Sequence, residues 1–67
     1  MIMAEHGAAQ RLLAELGRSG GTSRQLAKRA GVSPGYAREL LYGLMAAGRA
    51  RRWKQPGTRA FIWEARQ

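Results

Sequence analysis

Arg38 and Tyr42 stand four residues apart in the segment PGYARELLYGLMAAG, with Tyr36 and Glu39 close by. Four residues is just over one helical turn, so a helix places Arg38 and Tyr42 on one face. A guanidinium there can pair with guanine O6 and N7, which is worth about 1–3 kcal/mol of discrimination. It can also grip a phosphate or pair with a neighbouring acid. Tyr42 can donate to a phosphate, stack on a sugar, or simply cover helix stems. Tyr36 can do similar work at a groove edge, or pack against the preceding helix. Glu39 can accept from a cytosine amine, or pair with Arg38 or another arginine. Gly35 and Ala46 are small and permit close approach to a partner. The chemistry on offer is recognition of nucleic acid, with Arg38, Tyr42, Tyr36 and Glu39 as candidates for base contact.

The charge distribution supports that reading. The chain has 67 residues and a formal net charge of +8. Residues 1–21 balance Glu5 and Glu15 against Arg11 and Arg18, so the excess lies in residues 22–67. A one-sided positive field attracts a polyanion. Most of the cations are arginine, the side chain best suited to bidentate contacts with phosphate and guanine.

Three helices must position these residues. The first is expected over about residues 4–16, where Ala9, Leu12, Leu13 and Leu16 form an apolar stripe and Gly17 can end it. Ser19-Gly20-Gly21 reads as a loop or a very short strand, not a phosphate cradle. Thr22 and Gln25 have the spacing of a capping box for a second helix over about 23–30, with Leu26, Ala27 and Ala30 facing inward. Gly31 suits the left-handed position after that helix, and Val32 can plug the core beneath the turn. Ser33 and Pro34 suit the cap and first turn of a third helix over about 34–47. Its inward face is Ala37, Leu40, Leu41, Leu44 and Met45, and Gly48 closes it.

Residues 49–64 read as a basic hairpin. Strand-like runs Arg49 to Lys54 and Arg59 to Glu64 flank Gln55-Pro56-Gly57-Thr58. Proline followed by glycine suits the centre of a type II turn. Trp53, Phe61 and Trp63 are expected to cover the core from one face, and residues 65–67 form a short tail. The expected architecture is mainly α with a small β-hairpin, a single domain over 1–67.

This order resembles the winged helix-turn-helix superfamily over nearly the whole chain. The resemblance is carried by TSRQLAKRAGVS, PGYARELLYGLMAAG and RARRWKQPGTRAFIWE. The pattern also looks like the small regulators of bacterial pilus operons, which share a V-S/T, A-R, L-L, L, G succession and a wing ending in an aromatic pair. The resemblance implies sequence-dependent binding of double-stranded DNA by a small transcriptional regulator, bacterial or from a phage. The third helix would occupy the major groove. Backbone contacts are expected from Thr22, Ser23, Arg24, Lys28, Arg29 and Ser33, through side chains and the free N–H groups of helix starts. The wing would contribute Arg51, Arg52, Lys54 and Arg59, with Arg59 beside the tip best placed for a narrow minor groove.

The sequence gives other chemistries little to work with. A chain this short buries only about 60% of its unfolded surface, enough for one core but hardly a deep catalytic cleft. There is no cysteine, and His6 is the only histidine, so no metal site or cofactor is expected. No nucleophile motif appears, and an enzyme is not expected. No apolar run approaches the roughly 20 residues of a membrane span, and no secretory signal is evident. A cytoplasmic, nucleoid-associated setting fits. Met1-Ile2-Met3 and the first helix offer a small apolar surface, so a monomer or a DNA-dependent dimer is expected, with a second regulatory protein as a further partner. Two other readings stand beside DNA binding. One is a winged-helix adaptor that binds protein within a larger assembly, and the other is an RNA-binding domain.

Overall fold

A computed structural model describes residues 2–66, with side chains described from residue 7 to residue 66. Met1, the side chains of Ile2 and Met3, and the ring of His6 lie outside the described set. Three helices are followed by two strands: α1 (Ile2–Arg18), α2 (Ser23–Ala30), α3 (Pro34–Ala46), β1 (Ala50–Lys54) and β2 (Phe61–Ala65). The strands form one antiparallel hairpin.

The core is assembled from one face of each element. Leu12 and Leu16 of α1, Leu26, Ala27 and Ala30 of α2, Ala37 and Leu41 of α3, Ala50 of β1 and Trp63 of β2 are buried together. Val32, Leu40, Leu44 and Met45 pack against them at the margin. The inward faces expected for α2 and α3 are those observed. On α1 the core line passes through Ala8, Leu12 and Leu16, while Ala9 and Leu13 sit half-buried on its flank.

Capping chemistry sets the helix ends. The Thr22 hydroxyl accepts from the Gln25 N–H, and the Gln25 side chain accepts from the Thr22 N–H. Gly31 ends α2 at φ 72°, and the Val32 N–H returns to the Ala27 carbonyl at 3.0 Å. That is the six-to-one hydrogen bond of a Schellman closure, with Val32 supplying its apolar contact. Ser33 caps α3 by accepting from the Tyr36 N–H, and Pro34 opens its first turn. Gly48 (φ 75°) then turns the chain, and Arg49 N–H bonds to the Leu44 carbonyl. Arg11 contributes a cap that its sequence position does not advertise. Its Nε donates to the Ala30 carbonyl at 2.9 Å, at the C-terminus of α2.

Three expectations need correction. Gly17 does not end α1; the helix runs on to Arg18, and the left-handed residue is Gly20 at φ 67°. Gly17 sits exposed on the helix, so nothing in its surroundings forces a break there. Trp53 also does not share a face with Trp63 and Phe61. The register pairs Arg52 with Trp63, Trp53 with Ile62 and Lys54 with Phe61. Side chains alternate along a strand, so Trp53 and Ile62 fall on the opposite face. Only Trp63 is fully buried; Trp53 and Phe61 are 45% and 39% exposed. The strands are also shifted slightly from expectation, and Ala65 belongs to β2 rather than to a tail.

The loop before α2 is the structural partner of β2. Gly21 and Trp63 exchange two backbone hydrogen bonds, at 3.0 and 2.7 Å, as a third short edge on the hairpin. Gly20 lies directly against the Trp63 carbonyl, where any Cβ would collide with backbone. The turn at Gln55–Thr58 closes with the Thr58 N–H on the Gln55 carbonyl and Gly57 at φ 80°, as a type II turn requires.

These two glycine environments separate in a denaturation experiment. Gly31→Ala meets open space and carries only the left-handed penalty of about 1–2 kcal/mol. Gly20→Ala adds a backbone collision to the same penalty and should cost clearly more, about 3 kcal/mol. Urea melts of both variants check the order, and equal losses would show that the Gly20 approach is not structural.

Candidate functional site

The start of α2, the outer face of α3 and the hairpin converge on one open groove of about 500 Å3. Thr22, Ser23 and Arg24 form one wall, and Pro34, Arg38 and Tyr42 form the floor along α3. Arg52, Arg59, Ala60, Phe61 and Trp63 form the wall on the hairpin side. Four arginines thus line one concavity, and among the described residues no acidic side chain does. An isolated small-molecule pocket is mostly apolar with few polar groups. This groove is instead open and cationic, the character of a site for an extended anion.

The groove has a built interior. The Arg52 guanidinium lies 4.2 Å from the Phe61 ring centroid, 5.1 Å from that of Tyr42 and 5.5 Å from that of Trp63. Its Nη1 donates to the Tyr42 hydroxyl at 2.8 Å. Tyr42 and Trp63 meet edge to face, with centroids 5.5 Å apart and planes at 89°. Contacts of these kinds are worth about 0.5–1.5 kcal/mol each. Together they tie β1 and β2 to α3 through side chains alone.

The backbone at the head of α2 adds donors to the wall. The capping box uses the N–H groups of Thr22 and Gln25. Those of Ser23 and Arg24 have no hydrogen-bond acceptor among the described residues. Such first-turn N–H groups favour anions.

Seven of the fourteen candidate side chains come together here: Thr22, Ser23, Arg24, Arg38, Tyr42, Arg52 and Arg59. The others lie apart. Arg29 donates through Nη1 to the Ser19 hydroxyl and the Gly20 carbonyl, both at 3.0 Å, and so ties down the loop that supports Trp63. Arg51 pairs with Glu64 across the hairpin's outer face. Ser33 is occupied as a cap, Tyr36 is half-buried, and Lys28, Glu39 and Lys54 are exposed outside the groove. The expected ion pair between Arg38 and Glu39 does not form among the described residues; adjacent positions on a helix point about 100° apart. Sequence reasoning treated Arg52 as one more wing cation and missed its place between three rings. The register supplies that information, because Arg52 pairs with Trp63. Pro34, Ala60 and Phe61 were also not singled out as lining residues.

Solved structures share the fold. Two mutant forms of Lactococcus lactis ZitR superpose with a TM-score of 0.79, at 15% and 17% identity, over 90% and 100% of this chain. Streptococcus pneumoniae FabT in complex with DNA superposes at 0.76, with 18% identity over 90% of this chain. The fold is a winged helix-turn-helix. The hairpin β1–β2 is its wing, and α2 and α3 form the helix-turn-helix. This chain spans 42% and 53% of the two ZitR chains and 43% of FabT. No family model and no curated protein matches the sequence. Among the described residues no helix is long and apolar enough to cross a membrane.

Arg29 and Lys28 are neighbours of equal charge with different work. Arg29→Ala should lower stability by about 1 kcal/mol, through loss of its bonds to the loop at residues 19–20. Lys28→Ala should stay within about 0.5 kcal/mol. Thermal melts of the two variants side by side make the comparison.

Proposed function

We propose that this chain binds double-stranded DNA in a sequence-dependent way, as the DNA-reading part or whole of a transcriptional regulator. The carrying observation is the groove in which arginines from α2, α3 and the wing meet without an acid among them. A neighbouring fold, FabT, has been solved in complex with DNA. In this reading α3 enters the major groove, with Arg38 and Tyr42 nearest the base edges and Tyr36 and Glu39 beside them. The wing's Arg59 reaches the adjoining minor groove or its backbone. Thr22, Ser23 and Arg24 hold a phosphate with their hydroxyls, guanidinium and free N–H groups. Lys28, Arg29, Arg51 and Lys54 add long-range attraction at most, since they lie outside the groove, and the neutral Ser33 remains the cap of α3. The setting is the cytoplasm, at the nucleoid. No catalysis and no cofactor enter the reading.

Gly35 supports close approach of α3. It is exposed on the helix, and a Cβ there would meet nothing within 4 Å. Glycine inside a helix costs about 0.5–1 kcal/mol relative to alanine, and the fold itself gives no return for that cost.

Selection from a random duplex pool, followed by titration of the selected duplex, tests the proposal. A Kd below about 10 μM at 50 mM salt is expected, weakening steeply toward physiological salt. Failure of every duplex to reach that level overturns the reading; tighter binding of RNA, or of a protein partner only, replaces it. Arg38→Ala should flatten base preference at one or two positions, whereas Arg59→Ala should weaken all duplexes about equally. Gly35→Leu should leave the melting temperature unchanged or higher while weakening the selected duplex at least tenfold.

A further inference from the structure

The hydrogen bond between Arg52 and Tyr42 has a direction, and that direction bears on what the groove can recognise. A guanidinium has five donors and no acceptor. The 2.8 Å contact from Arg52 Nη1 therefore occupies a lone pair on the Tyr42 hydroxyl oxygen. The phenolic proton cannot point back at Arg52. Resonance holds that proton near the plane of the ring, in an orientation that does not meet the Arg52 N–H. No protein acceptor receives it among the described residues. Tyr42 is 42% exposed and lines the groove.

Arg52 is itself fixed. Three rings surround its guanidinium, and the strand register holds it opposite the buried Trp63. The Tyr42 ring is held edge to face against the same Trp63. Neither partner can swing away without breaking the joint between wing and helix.

The geometry points to Arg52 as a positioning residue that makes Tyr42 an obligate hydrogen-bond donor toward the groove, selecting an acceptor atom on the bound DNA. This rests on the DNA-binding reading above. The acceptor is a phosphate oxygen or a base-edge acceptor of the major groove: guanine O6 or N7, adenine N7 or thymine O4. Adenine N6 and cytosine N4, which donate, are disfavoured opposite Tyr42.

The test is a set of affinities on the selected duplex. Tyr42→Phe keeps the ring, its contact with Trp63 and the face offered to Arg52, and removes only the hydroxyl. It should weaken binding about five- to tenfold, the effect of one hydrogen bond. The same substitution in Arg52→Lys, where the partner still only donates, should cost a similar factor. In Arg52→Gln the side-chain carbonyl can accept the phenolic proton, and the Tyr42→Phe loss should shrink below about twofold. A merely structural Arg52 would change the overall affinity without changing the Tyr42→Phe factor. Duplexes carrying single methylphosphonates, or base analogues that each lack one acceptor (7-deazaguanine for guanine N7, 2-aminopurine for guanine O6, 7-deazaadenine for adenine N7, 5-methyl-2-pyrimidinone for thymine O4), then name the acceptor. The substitution that abolishes the Tyr42→Phe loss marks the phosphate or the base. If wild-type protein binds no duplex, the DNA reading itself falls, and this inference with it. If wild-type protein binds and Tyr42→Phe binds equally well, the inference alone is overturned. It is also overturned if the Tyr42→Phe loss is the same in Arg52→Gln as in wild type, or if no modified duplex abolishes it.

Discussion

The structure depends on the seating of Trp63. Its ring is 2% exposed at the centre of the core, its backbone pairs with Gly21, and its carbonyl lies against Gly20. Its ring meets that of Tyr42 edge to face, and its cross-strand partner is Arg52. One residue thus links the loop before α2, the wing and the outer face of α3. A two-stranded hairpin alone is marginally stable in water. Here the core holds the wing at its base, while the tip at Pro56-Gly57 extends free of it.

That linkage gives the groove its shape. The walls come from segments far apart in sequence, and their mutual placement follows from contacts at Trp63 rather than from the connecting loops. Arg29 reinforces the same joint from behind by binding the Ser19-Gly20 loop. Charges that a sequence shows as one basic run therefore divide by function. Arg29 and Arg52 brace the structure, Arg51 pairs with Glu64, and Arg24, Arg38 and Arg59 line the groove.

Much of the fold was legible because its signals are local. The capping box at Thr22 and Gln25, the glycine at position 31, Ser33-Pro34 and the Pro-Gly turn each act within a few residues, and each does in the structure what its chemistry suggests. The inward faces of α2 and α3 were legible from helical period. What was not legible depends on register and on tertiary neighbours. Trp53 looked equivalent to Trp63 until the pairing put it on the other face. The sequence points to Gly17 as the end of α1, and only the approach of β2 makes Gly20 the left-handed residue. Arg52 was counted with the other cations because its rings come from α3 and β2, ten or so residues away on either side.

The central claim is that α3 and the wing form one surface, locked at Trp63, that engages adjacent grooves of a duplex together. Dimethyl sulfate protection measures this directly, since it reports guanine N7 in the major groove and adenine N3 in the minor groove on one piece of DNA. The account predicts both protections, about half a helical turn apart, rising together over the same protein concentrations. Major-groove protection that saturates while the neighbouring minor groove stays fully reactive would contradict it.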